Sequence, residues 1–320
     1  MLKYLKNSWY IIIVVSILLS LVIWSALGLM GRSAEPKEYT VSVIAENLNS
    51  DRYTGFKLGL EQAARENNIT INYVSSGNSM TPDSEAALVA REAASGANGI
   101  IVSVIGPPVE EAIDAVSSDT GILLIETACD NLNDLVAVTP DCELIGAQLA
   151  AAIKEDYGND LRGMTMAVIS GRSGQDSCAR MEKVMMDALE ETGIELIWSD
   201  NRPYDFSNMM TGGNLPDIIV ATDETGLLTM AEYINGSDVD CCLYGIGSGA
   251  SCAYYLDNGI IDTMIVPDSF TMGYQSMQIL ADIITGENHD SGIVTVSHAV
   301  ITREEMYETD NEKLLFPMVQ

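Results

Sequence analysis

The sequence predicts an α/β protein: two doubly wound parallel sheets preceded by one transmembrane helix. Three observations carry that reading. From Tyr39 onward, short apolar runs of strand type alternate almost without interruption with segments whose apolar residues recur at three- and four-residue spacing. Several strand-type runs are apolar on consecutive residues, as in Gly99-Ile-Ile-Val-Ser-Val-Ile and Asp217-Ile-Ile-Val-Ala-Thr, the pattern of parallel strands covered on both faces. Before them, residues 11–30 form an uncharged apolar stretch long enough to cross a bilayer core of about 30 Å as a helix.

The apolar stretch comes first in the chain, and two readings of it stay open. A secretory signal has an apolar run of about 7–15 residues and ends in a small-residue cleavage site. This run is longer, and Ala26 and Ala34 make a poor site, so an uncleaved anchor is the favoured reading. The first cysteine is Cys129, too distant for lipid attachment. Lys3 and Lys6 on the short N-terminal side place that end in the cytoplasm. The expected organisation is a cytoplasmic tail (1–10), a transmembrane anchor (11–30), a linker (31–38) and an extracytoplasmic domain (39–320), making a single-pass protein of the cell membrane.

Within the domain, strands are expected at 40–45, 70–74, 99–105, 121–125, 164–169, 194–198, 217–221, 241–246 and 263–266. Helices are expected at 53–66, 83–95, 109–117, 144–155, 179–191, 224–234 and 272–285. In the first helix Phe56, Leu60, Ala63 and Ala64 form a core-facing stripe, leaving Lys57, Glu61 and Arg65 to solvent. Pro82 with Asp83, Ser84 and Glu85 is a helix start, and Gly96, Gly193 and Gly286 follow helix ends. Such alternation implies right-handed βαβ units. About nine strands exceed the usual 4–6 of one sheet, so two sheets are expected. No low-complexity linker separates them, which points to plain crossing strands rather than a flexible tether.

The net charge is −30, and it resides beyond residue 38, since four basic and only two acidic residues lie before it. That field excludes nucleic acid and anionic headgroups as partners, both of which need clustered Lys and Arg. The six cysteines (129, 142, 178, 241, 242 and 252) form no metal-type pair, and His289 and His298 lie far from them in sequence, so neither a metal nor a cofactor is expected. Buried cysteines are the simplest reading, with a Cys129–Cys142 bridge left open. Phosphate-loop, nucleophile-elbow and zinc-helix motifs are absent. Gly245-Ile-Gly-Ser-Gly249 lacks dinucleotide spacing and reads either as a tight turn or as backbone N–H groups meeting a ligand.

Five segments occur in a recognisable order: Leu48-Asn-Ser-Asp-Arg-Tyr-Thr-Gly-Phe, Val136-Ala-Val-Thr-Pro-Asp-Cys-Glu-Leu-Ile-Gly, Ile219-Val-Ala-Thr-Asp-Glu, Leu256-Asp-Asn-Gly and Val266-Pro-Asp-Ser-Phe-Thr-Met-Gly-Tyr. Together, across about residues 40–305, they resemble the ribose/galactose class of type I periplasmic binding proteins, relatives of the ligand domain of lac-type repressors. The resemblance implies two Rossmann-like lobes joined by three crossing strands, with a ligand cleft between them, a place that open α/β sheets also favour. It maps an N-lobe onto about 39–139 plus 268–296 and a C-lobe onto about 140–267 plus 297–320. With the anchor in place of a helix-turn-helix, a repressor role is not expected.

The same resemblance nominates the ligand residues. Ser50, Arg52 and Tyr53 match the first loop, where Tyr53 either stacks on a sugar or packs at the helix start. Glu126 and Thr127 stand where the class keeps an acid followed by Arg, so the Arg is lost and Arg52 is the candidate to replace its charge. Arg180 sits one place before a matching position that falls at Met181; it reaches the cleft if the segment is still loop and not if it is helix. Phe206 matches a stacking aromatic, and Thr222 a usual Asn. Asp223 either caps the next helix or touches ligand. Gly247 replaces a usual Asp, and Pro267 a usual Gln, with Asp268 beside it. The implied function is solute capture, a sugar or polyol closing the lobes, with an ABC permease or a sensor histidine kinase as partner. The alternatives are a non-sugar ligand, a structural surface protein, or an enzyme, for which no acid–base pair has recognisable spacing.

Overall fold

The computed structural model describes residues 9, 13–22, 24, 38–75, 80–170, 176–200, 215–237, 239–287 and 290–317. The chain divides into two units, Met1–Glu38 and Tyr39–Gln320. In the first, residues 13–22 are helical, and Leu18, Leu19 and Val22 each expose more than half of their surface. Among the described residues no helix is long and apolar enough to cross a membrane, and the expected 11–30 span lies partly outside them.

The second unit is a two-lobed α/β domain. Its first sheet takes β1 (Tyr39–Ile44), β2 (Ile69–Val74), β3 (Gly99–Val102), β4 (Gly121–Ile125) and β5 (Val136–Pro140). Its second takes β6 (Thr165–Ile169), β7 (Glu195–Asp200), β8 (Ile218–Ala221), β9 (Cys242–Ile246) and β10 (Thr263–Pro267). The chain then returns once to each, as β11 (Gly292–Val296) and β12 (His298–Thr302). The orders are β11-β5-β4-β3-β1-β2 and β12-β10-β9-β8-β6-β7. Every pairing is parallel except β12 on β10.

The helices are α1 (Thr54–Glu66), α2 (Pro82–Ala94), α3 (Pro107–Val116), α4 (Cys142–Tyr157), α5 (Asp176–Leu189), α6 (Glu224–Asn235), α7 (Gly249–Asp257), α8 (Ser269–Thr285) and α9 (Thr309–Leu315). They cover both faces of each sheet, which is why the strands are apolar on successive residues. Leu123 and Ile125 of β4 point to the layer of α1 and α8, while Ile122 and Leu124 point to that of α2 and α3. In β8, Ile219 and Ala221 join the core under α6 and α7, and Ile218 and Val220 the core under α4 and α5. Paired helices approach through glycine. A Cβ on Gly59 of α1 would lie 2.1 Å from the Phe270 carbonyl oxygen, and one on Gly273 of α8 2.0 Å from that of Phe56.

The chain passes between the sheets three times, at Pro140-Asp141-Cys142, Pro267-Asp268-Ser269 and Val296-Ser297-His298. The first two share one local design. Proline ends the strand, and the aspartate after it caps the next helix: Asp141 accepts from Leu144 N at 3.0 Å and Asp268 from Thr271 N at 2.9 Å. The second and third crossings are tied by Asp268 N to Ser297 O, 2.9 Å.

Several elements depart from the sequence expectation. Strand 99–105 ends at Val102 because the chain turns away to bond elsewhere, with Ile105 N donating to the buried Glu85 carboxylate at 3.2 Å. β5, β11 and β12 were not expected as strands: the first ends in proline, and the other two are short and meet at Ser297. Cys129 packs in the core between α2, α3 and the first sheet, Cys142 in the core of the second sheet, and both are free thiols. The open question of a bridge between them is thereby answered.

Candidate functional site

The C-terminal ends of the parallel strands in the two sheets face each other across a cavity of ≈ 120 Å³. From the first sheet's side, the 3-10 turn Asp51–Tyr53 after β1 and the end of β4 supply its polar wall. Arg52 forms an ion pair with Glu126, donates to the Tyr53 hydroxyl at 2.5 Å, and lies with its guanidinium 4.3 Å above the Tyr53 ring. The second Glu126 oxygen accepts from the Ser103 hydroxyl at 2.6 Å. Glu126 adopts a left-handed φ of 66°, uncommon for a residue with a side chain and a conformation that surrounding contacts must hold. Arg52 meets Glu126 and Tyr53, while Thr127 is buried and does not line the cavity.

From the second sheet's side come Thr222, Asp223 and Glu224 after β8, Gly247 and Ser248 after β9, and Cys142, Ser177, Cys178 and Met181 from α4 and α5. Asp223 does what an N-cap does, accepting from Gly226 N at 2.7 Å, while its other oxygen accepts from Ser170 at 3.0 Å. Gly247 leaves no room for the acid that the resemblance would put there: a Cβ would meet Cys252 Sγ at 2.7 Å and Leu227 at 2.8 Å. Burial pushes the Glu224 carboxyl up to about 7, with Arg52 and Ser248 holding it back. Burial likewise pushes the Cys142 thiol up to about 11, against the pull of Arg180, so it is a protonated, soft wall.

Of the residues nominated from sequence, Arg52, Tyr53, Glu126, Thr222, Asp223 and Gly247 meet at this cavity. Ser50, Thr127, Arg180 and Asp268 do not line it, and Phe206 lies outside the described residues. Arg180 is within α5, so the helical alternative holds and Met181, one position on, takes the cavity face. Among the described residues its Nε is buried without a partner, as is the hydroxyl of Ser50. Both Asp268 oxygens are taken by Thr271, and Asp268 faces a separate cavity beside Lys313. Sequence reasoning missed Glu224, Ser248 and the Met and Cys wall. The first two have a legible signal, an acid directly after the cap Asp223 and a serine within the Gly245–Gly249 turn; the Met and Cys wall depends on helix rotation. Among the described residues no group of three or more His, Cys, Asp or Glu could hold a metal ion.

Across the mouth, the lobes touch. Asp51 Oδ2, on the first lobe, accepts from Ser251 N at 3.0 Å and Ser251 Oγ at 2.9 Å on the second. Ser251 is the third residue of α7, whose own N-cap Ser248 makes no side-chain cap bond, so the opposite lobe caps this helix.

Two parallel-sheet lobes, three crossings and a cavity at the strand ends define a two-lobed binding protein. The family is specific: residues 41–288 match the periplasmic binding protein domain, and the chain belongs to that family. It is a binding protein rather than an enzyme, of a family that works outside the cytoplasm. No curated protein sequence matches the chain significantly. Among solved structures, it is similar to GanP, a glucose-galactose binding protein from Geobacillus stearothermophilus, at 18% identity and TM-score 0.74, covering 85% of this chain and 99% of that one. A carbohydrate transporter solute binding protein from Agrobacterium radiobacter, in complex with D-arabinose, is similar at 17% identity and TM-score 0.76, covering 87% and 99%. The chain in a XylFII-LytSN complex is similar at 14% identity and TM-score 0.73, covering 84% and 99%.

Proposed function

We propose that this chain is a membrane-anchored solute-binding protein that captures a small sugar or polyol between an N-lobe of about 39–139 plus 268–296 and a C-lobe of about 140–267 plus 297–320. The observation that supports this best is the cavity between the lobes, with the Arg52–Glu126–Tyr53 cluster on one wall and Glu224 with Ser248 on the other. Charged donors and acceptors in fixed forks suit neighbouring hydroxyls. The Met, Cys and Phe56 surfaces suit a ligand's apolar face. Residues 11–30 anchor the chain through one helix, with the domain outside the cytoplasm; their length and lack of charge support this.

Binding favours the closed arrangement by its differential affinity for it, and the three crossings act as the hinge. The closed form is then read by a membrane partner, an ABC permease or a sensor histidine kinase. The XylFII-LytSN likeness favours keeping the sensing reading beside transport. A thermal-shift screen of the purified full chain in detergent tests the ligand class. Stabilisation by D-arabinose, D-galactose or D-glucose is the expected result; no shift with any sugar, or consumption of the ligand, overturns the reading. Alkaline-carbonate extraction tests the anchor: release of the chain into the supernatant refutes it.

A further inference from the structure

Glu224 is the one acid of the cavity wall whose hydrogen bonding is incomplete among the described residues. Ser248 donates from its backbone N–H (2.9 Å) and its hydroxyl (2.7 Å) to the same oxygen, Oε2. Oε1 accepts from no described residue, although Glu224 is only 8% exposed and lines the cavity. Two donors on one oxygen fix the carboxyl plane, so the remaining lone pairs are held in a set direction. Oε1 keeps accessible surface at the cavity, where a ligand donor can reach it in place of solvent. The two polar residues that precede it in that wall are engaged: the Thr222 hydroxyl donates to Ile169 O, and Asp223 takes Gly226 N and Ser170.

We propose that Glu224 Oε1 is the second lobe's ligand contact, accepting a hydrogen bond from a hydroxyl or ammonium group of a carbohydrate held between it and the Arg52–Glu126 pair. This deepens the reading of the cavity as a solute site and rests on it. The residue type follows from what the wall lacks, since Gly247 and Pro267 offer no side-chain donor or acceptor there. The groups that act on Glu224 are Arg52 and Asp51 from the first lobe, with Ser248 and Cys252 from the second. As the pH falls through about 7 the carboxyl takes up a proton and stops being a full acceptor, so affinity falls with it.

The test is calorimetric titration of the full chain and of Glu224→Gln with D-arabinose, D-galactose and D-galactosamine at pH 8 and pH 6. Glutamine keeps a carbonyl for both Ser248 donations but presents an NH2 where Oε1 stood, so anchoring of the Ser248 loop survives while the acceptor is lost. The expected result is a Kd about ten-fold weaker or more in the variant at pH 8. The wild-type Kd weakens several-fold between pH 8 and pH 6, while the variant's stays level. A preference for D-galactosamine over D-galactose that vanishes in the variant identifies an ammonium donor; equal losses for both identify a hydroxyl. An unchanged Kd in Glu224→Gln for a sugar that the wild type binds overturns the inference and leaves the solute-binding reading standing. So does a wild-type profile that is flat with pH, a measurement independent of whether the variant folds. Failure of the wild type to bind all three sugars overturns the carbohydrate reading, and this inference with it.

Discussion

Replacing Glu224 with glutamine is expected to stabilise the ligand-free protein in alkaline solution while weakening its binding. The carboxyl is raised from its ordinary 4.5 to about 7, chiefly by burial. Between those two values the native state holds a proton that the unfolded chain has released. Its stabilising contribution is therefore fully present below pH 4.5 and is lost as the pH rises through 7. Holding the group ionised at pH 8 costs about 3 kcal/mol relative to the unfolded chain, at 1.36 kcal/mol for each tenfold change in proton affinity. Glutamine carries no such cost and keeps the Ser248 bonds. The variant's melting temperature should thus exceed the wild type's by about 5 °C at pH 8, and the gap should close by pH 4.5. Circular-dichroism melts of the full chain at half-unit pH steps measure it. A gap that stays constant from pH 4.5 to 8.5 refutes the assignment of a raised, buried carboxyl to Glu224.

Further expectations follow from the packing and the hinge. Gly59→Ala and Gly273→Ala each drive a methyl into a carbonyl oxygen about 2 Å away, so urea unfolding should show a loss of about 3 kcal/mol or more for either; a loss below 0.5 kcal/mol would mean that α1 and α8 can part freely. Asp51→Ala removes the cap that one lobe gives the other's helix, worth about 1 kcal/mol or about five-fold in the open–closed ratio, and spin-label distances across the cavity mouth should lengthen on average. Arg52→Met leaves the largely buried Glu126 without its cation, with an expected stability loss of about 3 kcal/mol and weaker ligand binding; an unperturbed melting curve would show that the pair contributes nothing. Thiol titration of the unfolded, unreduced chain should count all six cysteines as free; fewer would reveal a bridge.

Much of the fold was legible because strand–helix alternation and consecutive apolar residues are local patterns with one packing solution. Gly99–Val102 and Ile218–Ala221 fit parallel strands covered on both faces, whereas a Pro-Asp pair is ambiguous by itself: it ends a strand and caps a helix at 140–141 and 267–268, lies inside a helix start at 82–83 and precedes a strand at 216–217. What escaped was short or set by neighbours. β11 and β12 pair with the free edges of β5 and β10; the β-branched run in Gly292–Thr302 is a strand signal that sequence reasoning missed, while its division between two sheets at Ser297 is set only by those edges. The cavity was legible in part. Arg52, Tyr53, Glu126, Thr222 and Asp223 sit in loops whose place follows from the strand they leave. Arg180 against Met181 turned on helix rotation, and Asp268 on a cap bond to Thr271.

The sequence by itself determined the class of fold and the loops at which a ligand must be met, since hydrophobic period and turn chemistry act over a few residues. Tertiary structure alone decided which side chains in those loops are already satisfied. Asp223 and Glu224 are adjacent acids at one helix start, and the local preference for Asp at a cap says which is held by the helix but not which faces a ligand. Only the approach of Ser170 and Gly226 to the first, and of Ser248 to a single oxygen of the second, leaves one with both oxygens engaged and the other with an acceptor facing the cavity.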